Sequence, residues 1–170
     1  MPPVRPMQFR QGNVADQVRA ALQRTGAPAH LLEIEITESI AMEHPEAAHA
    51  QLSQLVALGC SVALDDFGTG YSSLAYLKAL PVTILKIDRA FIKDLPVDLS
   101  DAKICRAIIA LAHSLDMTLV AEGVETEAQL AFLRHHGCEA YQGWLFAKAM
   151  PASELSQRLL VAHNTLDLAA

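Results

Sequence analysis

The sequence predicts an α/β fold in which short buried strands alternate with helices. Three observations support this fold class. The 170-residue chain is 52% hydrophobic and 19% charged, so it can bury a core as one domain. Apolar residues recur at helical spacing in segments that end at Gly or Pro. Short apolar or alternating runs lie between these segments, as strands of a parallel sheet do.

The first elements alternate as helix, strand and helix. Segment 13–24 repeats apolar residues at helical spacing before Gly26. Segment 31–37 alternates apolar and polar residues, which predicts a strand. Segment 45–58 has the spacing of a helix, and Gly59 closes it.

The alternation continues to the end of the chain. Segment 60–64 is an apolar strand that enters an acidic, Gly-rich turn, 71–80 is a short helix stopped by Pro81, and 83–87 is a strand. The remaining predicted elements are a long helix at 99–115, a strand at 118–121, a helix at 125–136, a strand at 140–146 and a closing helix at 151–163.

Both an open flavodoxin-like sheet and a TIM barrel fit this alternation. Polar residues lie in or at the end of several strands: Glu35, Asp65, Asp66, Lys86, Glu122 and Gln142. TIM barrels gather their sites from many strand ends in this way, whereas open sheets use mainly a switch point. A closed barrel needs eight strands and about five are predicted here, so we expect a partial TIM-like (βα) barrel whose first strands are missing.

Composition excludes some functions and suggests a compartment. The net charge of −6 argues against a partner that is polymeric nucleic acid, but bound metal ions would still admit an anionic substrate. Cys60, Cys105 and Cys138 lack metal-type spacing and are interpreted as reduced, buried thiols of a cytoplasmic protein. No apolar run is long enough to span a bilayer, so we expect no direct membrane contact, although a parent protein could be membrane-tethered.

The acidic residues at the strand ends predict a cation site. Asp65 and Asp66 end an apolar strand, and Glu35 and Glu122 come from neighbouring strands. Four converging carboxylates repel one another without cations, and oxygen ligands suit Mg²⁺, Mn²⁺ or Ca²⁺. Lys86 would balance this charge or hold a phosphate or a water. Two such metals are a standard means of cleaving a phosphodiester.

The same residues also have structural interpretations that the sequence leaves open. The alternatives are an exposed strand position for Glu33 or Glu35, a helix N-cap for Asp65 or Asp66, an ion pair between Lys86 and Asp88, and a helix cap at Glu125.

Five motifs in a fixed order carry a resemblance to a known family. They are Glu35-Ile36-Thr37-Glu38-Ser39, Asp65-Asp66-Phe67-Gly68-Thr69-Gly70-Tyr71-Ser72-Ser73-Leu74, Lys86-Ile87-Asp88, Ala121-Glu122-Gly123-Val124-Glu125 and Tyr141-Gln142-Gly143-Trp144. Together they resemble the EAL domain family of bacterial cyclic-di-GMP phosphodiesterases, which have a TIM-like barrel and release linear pGpG. The match runs from about Gln8 to Leu160.

The resemblance implies a role for each matching residue. The implied metal ligands are Glu35, Asp65, Asp66 and Glu122, with Asp65 bridging two Mg²⁺ or Mn²⁺ ions and Ca²⁺ acting as an inhibitor. Glu122 is alternatively the general base, and Lys86 positions the attacking water. Glu125 and Gln142 belong to the pocket. Glu38 anchors the loop from Gly68 to Ser73, which includes Thr69, Gly70 and Ser72 and is linked to dimerisation and activity.

The sequence also departs from the family pattern. No Glu-Ala-Leu stands in the chain, and Pro3 and Arg5 occupy the positions of an Asn-x-Ser motif, so two metal ligands are absent. We therefore expect residues 1–170 to form one incomplete EAL domain that is inactive alone, with an altered or disordered segment at 1–7 and a frayed tail at 165–170. The alternative is a non-catalytic module that binds cyclic-di-GMP or dimerises. Open sheet edges would favour a homo-oligomer.

Overall fold

The computed structural model describes residues 14–43, 45–68 and 74–158. In these ranges one sheet contains the strands β1 Glu33–Thr37, β2 Ser61–Phe67, β3 Ile84–Ile87, β4 Thr118–Ala121 and β5 Ala140–Tyr141. The helices are α1 Val14–Thr25, α2 Glu38–Glu43, α3 Pro45–Ala57, α4 Leu74–Ala79, α5 Leu99–Ser114 and α6 Glu127–His135. Short 3₁₀ turns span Ala29–Leu31 and Arg89–Phe91, and residues 152–158 are helical.

The strand order decides between the two predicted architectures. The strands lie side by side in the order β1-β2-β3-β4-β5, and every neighbouring pair is parallel. A flavodoxin-like sheet reverses its strand order at a switch point, whereas a barrel adds each strand beside the last. The prediction of a TIM-like α/β fold is therefore confirmed. Within the described residues the sheet is not closed, and β1 and β5 are its edges.

The two faces of the sheet differ because successive strand residues point to opposite sides. Leu64, Leu85 and Leu119 are paired across three strands and are almost fully buried in the main apolar core. Leu52 and Leu55 of α3 belong to the same core. The neighbouring register positions, which include Lys86 of β3, therefore point to the opposite, concave face.

Several predicted boundaries need correction. The strand predicted at 140–146 ends at Tyr141, because the Val124 carbonyl accepts the Leu145 N–H at 3.0 Å and draws the chain into a turn. Gly143 has φ 156° in that turn, and a Cβ there would collide with the Val124 backbone. Helix α2 was not predicted. The strand predicted at 60–64 continues to Phe67, so both aspartates lie within β2.

Other sequence expectations fall partly outside the described residues. These are the segment 1–7, the start of the helix predicted at 71–80, the end of the helix predicted at 151–163, the tail 165–170, and the loop residues Thr69, Gly70 and Ser72.

The prediction that the three cysteines are free, buried thiols is confirmed. Cys60, Cys105 and Cys138 are free and buried. Burial raises the pKa of the Cys105 thiol to about 12, so its reactive thiolate is scarce at neutral pH. None of the helices in the described part of the chain is long and apolar enough to cross a membrane.

Candidate active site at the carboxyl ends of the strands

The Lys86 ammonium is the centre of a buried charge cluster. Lys86 lies in β3 between two apolar residues and is only 3% exposed. Its Nζ is 2.6 Å from Glu35 Oε1, 3.3 Å from Asp65 Oδ1 and 2.5 Å from Glu122 Oε1. One cation therefore meets three carboxylates from three different parts of the sheet.

Strand register brings these groups together. Thr37 of β1 pairs with Asp65 of β2, so Glu35 lies one step below Asp65 on the same face. Lys86 pairs with Val120 of β4, and Glu122 directly follows that strand. The Glu122 N–H donates to the Ile87 carbonyl at 3.1 Å, which continues the ladder and holds Glu122 beside Lys86.

The cluster changes the pKa values of Lys86 and Glu122. Burial alone would lower the pKa of Lys86, but its hydrogen bonds to Glu122 and Glu35 and the charge of Asp65 outweigh burial and raise that pKa. Lys86 therefore stays charged at neutral pH. Burial raises the pKa of Glu122, and Lys86 opposes this rise. Since the net effect raises its pKa, Glu122 holds a proton more readily than an exposed glutamate does.

Asp66 lies at an irregularity in β2. The register with β3 shifts between Leu64 and Phe67, and Asp66 has φ 55°. Its N–H donates to Asp65 Oδ1 at 3.0 Å. Burial raises the pKa of Asp66, and Asp65 and Asp88 raise it further, the latter also through a side-chain hydrogen bond. The irregularity therefore turns Asp66 toward Asp88, beside the Lys86 cluster.

Asp88 is a residue of the site that sequence reasoning missed. It was considered only as an ion-pair partner of Lys86. Asp88 directly follows β3, just as Glu122 directly follows β4. This shared position was the signal in the sequence that could have identified Asp88 as a site residue. Besides facing Asp66, Asp88 accepts the Ala90 N–H at 2.7 Å and so caps the 3₁₀ turn Arg89–Phe91.

The structure decides among the structural alternatives. Asp65 and Asp66 lie within β2 rather than at the start of a helix. Glu125 is not the cap of α6, because Thr126 is its N-cap residue. The ion pairs of Lys86 within the described residues are those with Glu35, Asp65 and Glu122, and not the alternative pair with Asp88. Glu33 is exposed, as an ordinary polar strand position would be.

Gln142 and Glu125, two residues that the sequence predicts for the pocket, make hydrogen bonds beside this cluster. Gln142 follows β5, and its Nε2 donates to Glu122 Oε1 at 2.6 Å. Glu125 lies in the segment between β4 and α6, and its Oε1 accepts a hydrogen bond from Arg89 Nη2 at 2.7 Å. The Arg89 side chain crosses Gly123, where a Cβ would collide with it and where φ is 67°. Glycine is therefore required at position 123 for Arg89 to reach Glu125.

An exposed aromatic ring adjoins this edge and was also missed as a site residue. Trp144 is 60% exposed, its ring centroid is 6.0 Å from the Arg89 guanidinium carbon, and Lys148 Nζ is 4.8 Å from the same centroid. Two cations and a large flat ring thus share one surface beside the carboxylates. Such a surface can stack a planar base and attract a phosphate.

Glu38 is buried below the site. It is 2% exposed, and its Oε2 accepts the Gly68 N–H at 3.0 Å across a sequence separation of 30. Its Oε1 has no hydrogen-bond partner within the described ranges. The loop-anchoring role predicted for Glu38 requires a contact with the segment after β2. The hydrogen bond from Gly68 is such a contact.

The carboxylates form an oxygen donor set, which suits Mg²⁺ or Mn²⁺ rather than a structural zinc. As the side chains stand, no three Asp, Glu, His or Cys groups in residues 14–43, 45–68 and 74–158 are placed to hold a metal ion. Glu35, Asp65 and Glu122 point at the Lys86 ammonium instead. Their convergence on a cation nevertheless fits the chemistry of a divalent-cation site.

These features define a class: a TIM-like α/β domain with an acidic site at the carboxyl ends of its strands. The sequence model of the EAL domain matches residues 3–149. The chain therefore belongs to the EAL domain family.

Curated relatives extend this finding. The chain is 48% identical over 149 residues to the cyclic di-GMP phosphodiesterase NbdA of Pseudomonas aeruginosa, covering 88% of this chain and 19% of that protein. It is 51% identical over 150 residues to the bifunctional diguanylate cyclase/cyclic di-GMP phosphodiesterase MucR of the same organism, covering 88% and 22%. The chain thus spans about a fifth of the length of these relatives.

Solved structures agree with the fold. The phosphodiesterase PaMucR in a cyclic-di-GMP complex is similar with a TM-score of 0.87 and 48% identity, covering 90% of this chain and 62% of that one. The EAL domain of Mycobacterium smegmatis DcpA is similar with a TM-score of 0.86 and 42% identity, covering 93% and 71%.

Proposed function

We propose that this chain is about the C-terminal two-thirds of the EAL domain of a cyclic-di-GMP phosphodiesterase, which hydrolyses its substrate to linear pGpG. The observation that carries the proposal is the convergence of Glu35, Asp65 and Glu122 on Lys86 at the strand ends. Homology to proteins named as cyclic di-GMP phosphodiesterases supports the choice of substrate.

In this proposal, Glu35, Asp65, Asp66 and Glu122 hold two Mg²⁺ or Mn²⁺ ions. The ions would supply stabilisation of charge on the phosphate and a more acidic water. Lys86 holds the attacking water or a phosphate oxygen, because its raised pKa keeps it a cation and a hydrogen-bond donor. If Glu122 acts as the general base instead of as a metal ligand, burial, which raises its pKa, suits it to accept a proton.

The edge of the site would bind the nucleotide. Arg89 and Lys148 bring positive charge to a surface beside four acidic groups, and Trp144 offers a face for a guanine. Gln142 orients Glu122 through their 2.6 Å hydrogen bond, and Glu125 orients Arg89. We place the substrate along this edge with its scissile phosphate toward Lys86.

We also propose that the isolated 170-residue chain does not turn over appreciably. The resemblance places two further metal ligands in a Glu-Ala-Leu motif and an Asn-x-Ser motif. Neither motif stands in these residues, and Pro3 has no side-chain amide to bind a metal.

The free thiols fit the predicted cytoplasmic setting.

The test combines binding and turnover. Calorimetry with cyclic-di-GMP in Ca²⁺ should detect binding by the chain, and Asp65→Asn should weaken it by about tenfold or more. Glu46→Gln is the matched control, since it neutralises an exposed carboxylate of α3 that lies outside the cluster. Absence of binding at high micromolar ligand would remove the substrate proposal. Mg²⁺- or Mn²⁺-dependent release of pGpG that Asp65→Ala abolishes would overturn the proposed inactivity.

A second candidate is a non-catalytic module that binds cyclic-di-GMP or dimerises. The observation that favours it is that the carboxylates point at the Lys86 ammonium. Within the described residues they are not placed to hold the metal ion that catalysis would need. Within the described residues, β1 and β5 each lack a neighbouring strand on their outer side, and such edges would favour a homo-oligomer that covers them. A monodisperse monomer in light scattering at high protein concentration would contradict the oligomer, and binding without turnover in a longer chain that contains Glu-Ala-Leu would favour the module.

A further inference from the structure

Gln129 is a buried polar residue in the first turn of α6. It is only 4% exposed, and both ends of its side-chain amide are bonded. Its Oε1 accepts the N–H groups of Glu125 at 2.7 Å and Thr126 at 2.9 Å. Its Nε2 donates to the carbonyl of Lys93 at 3.0 Å, across a sequence separation of 36.

Helix capping accounts for only part of this arrangement. In the capping box of α6, Thr126 Oγ1 accepts the Gln129 N–H at 3.3 Å, and Gln129 accepts the Thr126 N–H in return. The bonds to Glu125 and Lys93 are additional. A capping box can use Glu or Gln at this position, but only the amide of Gln both accepts from Glu125 and donates to Lys93.

The two additional bonds join segments that carry site residues. The segment after β4 contains Glu122 and Glu125, and the segment after β3 contains Asp88 and Arg89. At the surface they meet through the exposed ion pair of Arg89 and Glu125, and pairs of this kind contribute little. Below the surface they meet through Gln129, where a buried hydrogen bond resists separation more strongly.

We propose that Gln129 is a positioning residue of the candidate site. Its amide sets the spacing between the segment of Glu122 and Glu125 and the segment of Asp88 and Arg89. The consequence for ligand binding rests on the proposed function, whereas the spacing of the segments does not. Gln129 does not itself meet the proposed substrate.

Three variants of the full chain separate positioning from capping. Gln129→Ala removes all side-chain bonds, and Gln129→Glu keeps an acceptor for Glu125 and Thr126 but sets a carboxylate against the Lys93 carbonyl. Thr126→Ala is the matched control, because it removes the bond from Thr126 to Gln129 N–H and leaves the side chain of Gln129 in place.

Amide hydrogen exchange is the first measurement, and it requires no ligand. In Gln129→Ala, the amides of Glu125 and Thr126 should exchange about tenfold faster or more, because their acceptor is lost. The amides of Ile92 and Lys93, which bond to the Arg89 carbonyl, should also exchange faster in both Gln129 variants but not in Thr126→Ala. Unchanged exchange at Ile92 and Lys93 would reduce Gln129 to a helix cap and overturn the proposal.

Affinity for cyclic-di-GMP in Ca²⁺ is the second measurement. Both Gln129 variants should bind about tenfold more weakly, and Thr126→Ala should bind as wild type does. Equal weakening in Thr126→Ala would contradict positioning through Gln129. If wild type does not bind, the proposed function fails, and the exchange result still decides whether Gln129 ties the two segments.

Discussion

The helix-covered face and the concave face of the sheet contain neighbouring residues that are equally buried and chemically opposite. Leu85 and Ile87 of β3 point into the apolar core, and Lys86 between them points to the carboxylates. All three are at most 3% exposed. Burial alone therefore does not distinguish a residue of the core from a residue of the site. The side of the strand on which a residue lies does, since it determines whether the neighbours are aliphatic or charged.

The largest expected effect is on the helix-covered face. Leu85→Ala should lower the free energy of unfolding by about 2–5 kcal/mol, because the side chain is fully buried and its removal leaves a cavity. Urea denaturation monitored by circular dichroism measures this change. Val97→Ala, at an 87% exposed position, is the control and should stay within about 0.5 kcal/mol of wild type. A Leu85→Ala variant as stable as this control would show that the apolar face does not stabilise the sheet.

The next effect concerns the charge balance of the concave face. Lys86→Met keeps most of the buried volume but leaves Glu35, Asp65 and Glu122 without their shared cation. The free energy of unfolding at neutral pH should fall by about 1–3 kcal/mol. Adding Glu122→Gln should recover part of this loss, because Glu122 carries the shortest ion pair to Lys86 and its neutral form costs less to bury. If the double variant is less stable than Lys86→Met, charge repulsion is not the cause.

The smallest effect is expected at the exposed edge of the concave face. Arg89→Gln removes an ion pair with Glu125 whose side chains are 59% and 35% exposed. Stability should change by less than about 1 kcal/mol, and added salt should reduce the difference. A double-mutant cycle with Glu125→Gln measures the coupling energy. A coupling energy well above about 1 kcal/mol would contradict this prediction. It would show that the Arg89–Glu125 pair stabilises the protein as strongly as a buried ion pair does.

Much of the fold was predictable because periodicity records which face of an element is buried. The helices at Val14–Thr25, Pro45–Ala57 and Leu99–Ser114 begin and end within two residues of their predicted bounds. Helix α2 was missed because it is short and one of its buried residues is the polar Glu38. Its sequence therefore shows no apolar periodicity from which a helix could be predicted. The last strand was predicted too long, because its apolar residues from Trp144 to Phe146 resemble a strand locally but form a turn around Val124.

The sequence by itself determined the alternation of strands and helices, the EAL motifs, and the set of carboxylates that lie in or directly after the strands. Only the tertiary structure decided how those groups meet. Lys86 pairs with three carboxylates rather than with nearby Asp88, and Gln129 joins two loops that lie far apart in sequence. Local patterns report burial and periodicity, whereas these contacts depend on the register of parallel strands, which no single segment encodes.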